Sequence, residues 1–170
     1  TGFVLSLAYA LPPLQIASRG YGEIALSILL ANIIPGLALS LQYGDYHRLL
    51  PLLTFPLTLL SLAAQIAFQF PDYPAEKAGL LLRLGWQRAM TLHNLLILLA
   101  YILLVAGGFT GLPWSLTWPG LLGLPFALFQ IWQMVSTARG AKPRWQLLVL
   151  SAASTLLLTA WFLTLALWTR

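Results

Sequence analysis

Five apolar runs, each about as long as a bilayer-crossing helix, leave this chain little choice of fold. They fall at about 23–43, 49–70, 90–110, 117–137 and 146–168, and a helix needs roughly 20 residues to cross the hydrocarbon layer. Only helices and closed barrels satisfy their own backbone hydrogen bonds there, and leucine-rich runs of this length read as helices. The expected fold class is therefore all-α: one transmembrane domain over residues 1–170, built as a multi-spanning helix bundle. Composition agrees, with 59% hydrophobic and 8% charged residues against about 25% charged in a soluble domain. The connections are too short to hold a second, soluble domain.

Turn chemistry separates the runs: Pro12-Pro13, Tyr43-Gly44-Asp45, Gly111-Leu112-Pro113 and the stretch 138–144. Pro35, Pro56 and Pro125 fall inside runs and predict kinks. Lysine and arginine set the orientation. One side carries Arg19, Lys77, Arg83, Arg88, Arg139, Lys142 and Arg144, and the other keeps only Arg48 and Arg170. Such a bias places the loop 71–89 in the cytoplasm. Trp114, Trp118 and Trp168 are then expected at the outer interface, and Trp86 and Trp145 at the inner one. The net charge of +5 belongs to this topology rather than to nucleic acid, because no polar domain interleaves bases with exposed aromatics. The expectation is a multi-pass protein of a bacterial or archaeal plasma membrane.

The chain opens TGFVLSLAYALPP, about eleven apolar residues before two prolines, too few to cross. It has neither the basic start nor the small-residue cleavage site of a signal peptide. Residues 1–11 read as the end of a helix that begins upstream, so an N-terminal portion of the same protein is expected to be missing.

A polar stripe descends the second run: Thr58, Ser61, Gln65, Gln69, Asp72 and Glu76. Steps of three and four put these residues on one helical face, a face that belongs against other helices or a cavity rather than lipid. The stripe ends in two carboxylates. At i and i+4 they stand about 5–6 Å apart, and at an effective dielectric of about 20 they repel by about 3 kcal/mol. Two readings stay open. Mg²⁺ offsets the repulsion, taking one or two carboxylates and filling its other positions with water and substrate phosphate. Alternatively the pair simply ends a helix, with Lys77 screening it.

FPDYPAEKAG followed by LLLRLGWQRAM, from residue 70 onward, resembles the second aspartate-rich motif of the UbiA superfamily of intramembrane prenyltransferases, D-x-x-x-D followed by a glycine-lysine run and a leucine-glycine turn. YALPPLQIASRGYGE, residues 9–23, resembles the Y-S-x-P-P-L-K-x-x-x-R-G-x-G-E loop of its quinone-biosynthesis branch, above all the 1,4-dihydroxy-2-naphthoate prenyltransferases. The resemblance covers essentially the whole chain. It implies the back part of a nine-helix bundle, with five full spans and the end of a sixth, and a Mg²⁺-dependent transfer of a polyprenyl group from a prenyl diphosphate to an aromatic acceptor, a dihydroxynaphthoate-like one favoured, in menaquinone-type or ubiquinone-type biosynthesis. It makes Asp72 and Glu76 the metal-holding catalytic pair. Arg19 would meet the acceptor or the diphosphate, and Lys77 and Arg83, with Arg88 as a further candidate, would supply positive charge at the cavity mouth as substrate-binding residues. Tyr9, Phe68, Phe70 and Tyr73 are candidate aromatic faces for a cation-like prenyl fragment.

The sequence departs from that pattern. Glu76 stands where the family has aspartate, Leu80 and Gln15 where it has lysine, and the loop after Gly79 is shorter. The family's first aspartate-rich motif has no counterpart, since Glu23 and Asp45 read as isolated acids, so this chain alone is not expected to catalyse. Among the other polar residues, His93 reads as structural, and Asn94 shares a face with Tyr101 as a candidate for lining the substrate cavity. Gln130, Gln133 and Thr137, and Ser151, Thr155 and Thr159, are expected to bond between helices. The competing readings are a transporter, which the lack of charged residues in mid-span disfavours, and a noncatalytic membrane subunit that keeps the fold.

Overall fold

The computed structural model describes residues 21–44, 50–73 and 79–169. All elements in them are helical: α1 (Gly22–Ile28), a π-helical turn (Leu29–Ile33), α2 (Ile34–Tyr43), α3 (Leu50–Gln69), α4 (Leu80–Leu84), α5 (Trp86–Phe109), α6 (Trp114–Gly120), a 3₁₀ turn (Leu121–Gly123), α7 (Leu124–Ala138) and α8 (Trp145–Trp168). Five helical segments are long and apolar enough to cross a membrane: Gly22–Leu41, Leu50–Gln69, Trp86–Phe109, Trp114–Ala138 and Trp145–Trp168. The architecture is compatible with a multi-pass membrane protein.

The prolines act as their chemistry dictates. Pro35 has no N–H to donate one turn back, and the chain widens just before it, with Ile34 donating to the Leu29 carbonyl five residues earlier. Pro119 and Pro125 flank the tight turn that joins α6 to α7, where Leu124 donates to Leu121 three residues back. The fourth span is thus two helices across one break. Pro56 stays within α3 and is buried. The third span starts at Trp86, earlier than its apolar run. Gly85 sets that start: its φ of 75°, open to glycine at no steric cost, ends α4 and begins α5.

Helix α3 lies at the centre, packed most extensively on α5 and next on α8, while α8 also contacts α6 and α7. Ala63, Ala64 and Ala67 are buried along α3 and let neighbouring backbones approach, which matters where lipid leaves no hydrophobic force between helices. Around them pack Ile66, Leu81, Ala89, Ile97, Leu104 and Met134. Large apolar side chains such as Leu41, Ile102, Leu150, Leu157 and Trp161 point outward, a face suited to hydrocarbon rather than water.

Aromatic residues lock one end of the bundle. Phe70, past the end of α3, is buried with its ring edge-on to Trp86 at 5.0 Å and stacked on Trp145 at 5.9 Å. Trp86 and Trp145 meet edge to face at 5.4 Å. This triangle joins the C-terminus of α3 to the N-termini of α5 and α8. Trp114 lies at the other end, edge-on to Phe109 at 5.3 Å. Trp86 and Trp145 thus share one end and Trp114 occupies the opposite one, as the sequence reading arranged them.

Candidate functional site

The polar stripe of α3 finds its partners on α1. Gln65 Nε2 donates to Ser27 Oγ at 2.6 Å, and Gln69 Nε2 donates to Glu23 Oε1. Each pair is four residues from the next on both helices, running in opposite directions, so two antiparallel faces meet in one register. The second pair also holds the chain that follows. Leu80 N–H donates to Glu23 Oε1 and Leu81 N–H to Gln69 Oε1, each at 3.2 Å. The two side chains thereby satisfy backbone donors at the start of α4, which no side chain within that short helix caps. Gly79 makes the approach possible, since a Cβ there would lie 3.1 Å from both Glu23 Oε1 and Gln69 Oε1.

Glu23 joins no acidic cluster among the described residues, yet it is a structural hub that the sequence did not reveal. Its Oε1 accepts two hydrogen bonds, while Oε2 is buried without a partner among the described residues. The signal was present: Glu23 and Ser27 stand four apart, as Gln65 and Gln69 do. A stripe read on one helix does not reveal which neighbouring helix completes it.

The remaining predicted residues divide three ways. Tyr9, Arg19, Glu76 and Lys77 lie outside the described residues. Asp72 is exposed just beyond α3, its N–H donating to the Gln69 carbonyl at 3.2 Å. Arg83 is exposed on α4, its guanidinium 4.3 Å from the centre of the Tyr21 ring, a cation–π contact. Tyr73 lies half-buried with its ring edge-on to Trp86 at 5.3 Å. Phe70 is enclosed by tryptophans, whereas Phe68 faces outward.

Asn94 and Tyr101 part company despite sharing a helix face. Tyr101 is buried, its hydroxyl 3.0 Å from Thr159 Oγ1 on α8. Asn94 Oδ1 lies 3.0 Å from His93 Nδ1 and borders a surface groove between α5 and α7. His93 continues inward: Gln130 Nε2 reaches its Nε2 at 2.6 Å, and Thr155 Oγ1 donates to Gln130 Oε1 at 3.2 Å. With Nδ1 donating to Asn94 and Nε2 accepting from Gln130, the imidazole uses one donor and one acceptor, while the one Thr155 hydroxyl proton is divided between Gln130 Oε1 and the nearer Ser151 carbonyl at 2.8 Å. These side chains bond α5, α7 and α8 together, the interhelical role expected for them. Gln133 departs from it, its amide buried without a partner among the described residues, and Thr137 Oγ1 turns back to the Gln133 carbonyl at 2.9 Å.

Among the described residues no three His, Cys, Asp or Glu side chains come together to hold a metal. Asp72 supplies one exposed carboxylate, a hard oxygen ligand of the type Mg²⁺ accepts once or twice beside water and phosphate. Compared with known proteins, the chain matches no family model, no curated protein and no solved structure.

Proposed function

We propose that this chain is part of an intramembrane prenyltransferase that moves a polyprenyl group from its diphosphate to an aromatic acceptor of the dihydroxynaphthoate type. One observation carries the reading: the two motifs that suggested it touch each other. Glu23 and Tyr21 close the first motif, and Gly79, Leu80 and Arg83 belong to the second. Glu23 binds the Leu80 amide, Gly79 rests on Glu23, and Arg83 covers Tyr21. Two loops with a joint task in diphosphate binding require such an arrangement.

Under this reading Asp72 and Glu76 hold the metal, which when bound neutralises charge building on the departing diphosphate. Arg83, with Lys77 and Arg19, adds positive charge from the protein where the C–O bond breaks. Glu23 and Gln69 position the stretch after Gly79 and do not touch substrate. Tyr73 offers a half-buried aromatic face beside Asp72, and the apolar bundle keeps water from the cation-like fragment. The motif-bearing loops face the cytoplasm, by the distribution of arginine and lysine.

A noncatalytic membrane subunit is the second reading. It is favoured by the core of α3, α5, α7 and α8, where His93, Gln130, Tyr101 and Thr159 bond one another instead of lining a space. Product assay of the full-length protein separates the two. With a prenyl diphosphate, a dihydroxynaphthoate and Mg²⁺, the wild type forms prenylated product. Asp72→Asn and Glu76→Gln each lose about two orders of magnitude or more. Undiminished turnover in both variants removes the metal role, and an inactive wild type favours the subunit.

A further inference from the structure

From Gly79 to the last residue the chain contains no aspartate or glutamate but six arginines and lysines. Two of the six, Arg88 and Arg139, border a groove of about 710 Å³ between the first turns of α5 and the last turns of α7. Both are exposed, and among the described residues no acid lines the groove. Two exposed arginines at one recess attract an anion from outside.

Its lining is graded. Arg88 and Arg139 stand toward the helix ends that also carry the Trp86–Trp145 contact, and tryptophans are enriched at membrane–water interfaces. Asn94 comes next, its Oδ1 engaged by His93, which leaves its amide hydrogens to donate. Gln87 and Thr91 lie on the arginine side, and Leu95, Met134 and Val135 give apolar surface farther along. An anion at one end and hydrocarbon along the rest describe an amphiphile, and the volume suits a headgroup with the upper part of its chains.

We infer that this groove is a binding site for an acidic glycerophospholipid of the surrounding bilayer. Its phosphate sits between Arg88 and Arg139, where arginine offers paired N–H donors to phosphate oxygens. Its acyl chains run past Leu95 and Val135 toward the membrane interior. The site is built by α5 and α7, apart from the Glu23–Gln69 cluster on α1 and α3, and it gives Arg88 and Asn94, which the sequence set toward the prenyl substrates, to a bilayer lipid instead.

A photoactivatable phosphatidylglycerol tests it, with the full-length protein in phosphatidylcholine vesicles and the labelled peptides mapped by mass spectrometry. Labelling is expected on residues 87–95 and 134–139. Unlabelled phosphatidylglycerol competes for it and added phosphatidylcholine does not. Arg88→Gln with Arg139→Gln lowers labelling there about tenfold, in line with the attraction of basic residues for anionic lipid. Val135→Trp, which fills the groove and keeps both charges, lowers it comparably. Lys142→Gln with Arg144→Gln leaves it unchanged. Equal loss in that last pair, equal competition by phosphatidylcholine, or displacement by millimolar inorganic phosphate alone overturns the proposal. The first would make the preference a diffuse surface effect and the last a free-anion site.

Discussion

Glu23 on α1 and Gln69 on α3 are hydrogen-bonded across the helix interface, and the same two side chains hold the amides of Leu80 and Leu81. One acid and one amide thus tie three pieces of chain together. Glu23→Ala leaves Gln69 and a backbone donor short of partners, a loss of about 1–3 kcal/mol. A double-mutant cycle with Gln69→Ala, read by unfolding in detergent, gives a coupling of about 0.6 to 1.7 kcal/mol, the range for hydrogen bonds between membrane helices. Strictly additive effects would show that the two side chains act separately.

Gly79 offers a second handle on this junction. A Cβ on Gly79 would lie 3.1 Å from Glu23 Oε1 and from Gln69 Oε1, at a φ of 156° that side-chain-bearing residues rarely adopt, so the branched Gly79→Val pushes the start of α4 off its caps. Amide exchange at Leu80 and Leu81 then speeds up by about tenfold or more, as expected when a local opening becomes easier by about 1.4 kcal/mol. Exchange as slow as in the wild type would mean that the caps do not hold that helix.

Phe68 and Phe70 are neighbours with opposite fates. Phe70 is enclosed between Trp86 and Trp145, and Phe68 faces outward. Phe70→Ala is expected to cost about 3 kcal/mol, the low end for deleting a buried ring because lipid surrounds folded and unfolded chains alike. Phe68→Ala falls within about 0.5 kcal/mol of the wild type, as surface changes do. Thermal unfolding in one lipid mixture compares them, and equal losses would contradict the burial difference.

Gly123 abuts the Tyr101–Thr159 contact between α5 and α8. A Cβ on it would collide with Thr159 Oγ1 and lie 2.7 Å from the Tyr101 hydroxyl. Gly123→Ala therefore forces α7 and α8 apart and costs about 1–3 kcal/mol. Tyr101→Phe, which removes the hydrogen bond and keeps the packing, costs about 0.6 kcal/mol. The same unfolding assay ranks them, and a larger loss in Tyr101→Phe would show that the bond outweighs the close approach.

The spans were legible because bilayer thickness acts on run length, a property of the chain taken alone. Their edges were less so. Trp86, Gln87 and Arg88 look like loop by hydropathy, yet they are helical because Gly85 starts the helix directly before them. The break at Leu121–Gly123 follows from Pro119 and Pro125 together, although only Pro125 reads as a kink inside the run. At the site, the stripe on α3 was visible by its period, as were the interhelical roles of Gln130 and Thr155. The Glu23–Gln69 junction was not. Period describes one helix, whereas pairing depends on the packing angle and height of two.

The π-helical turn at Leu29–Ile33 inserts one residue into the first span. An added residue advances everything after it by about 100° around the helix axis while lengthening the helix by only about 1.5 Å. Glu23 and Ser27 can therefore be aimed at α3 independently of the direction in which α2 looks. A single deletion within that turn would act as a twist rather than a shortening, leaving the span long enough to cross yet swinging its two halves out of phase.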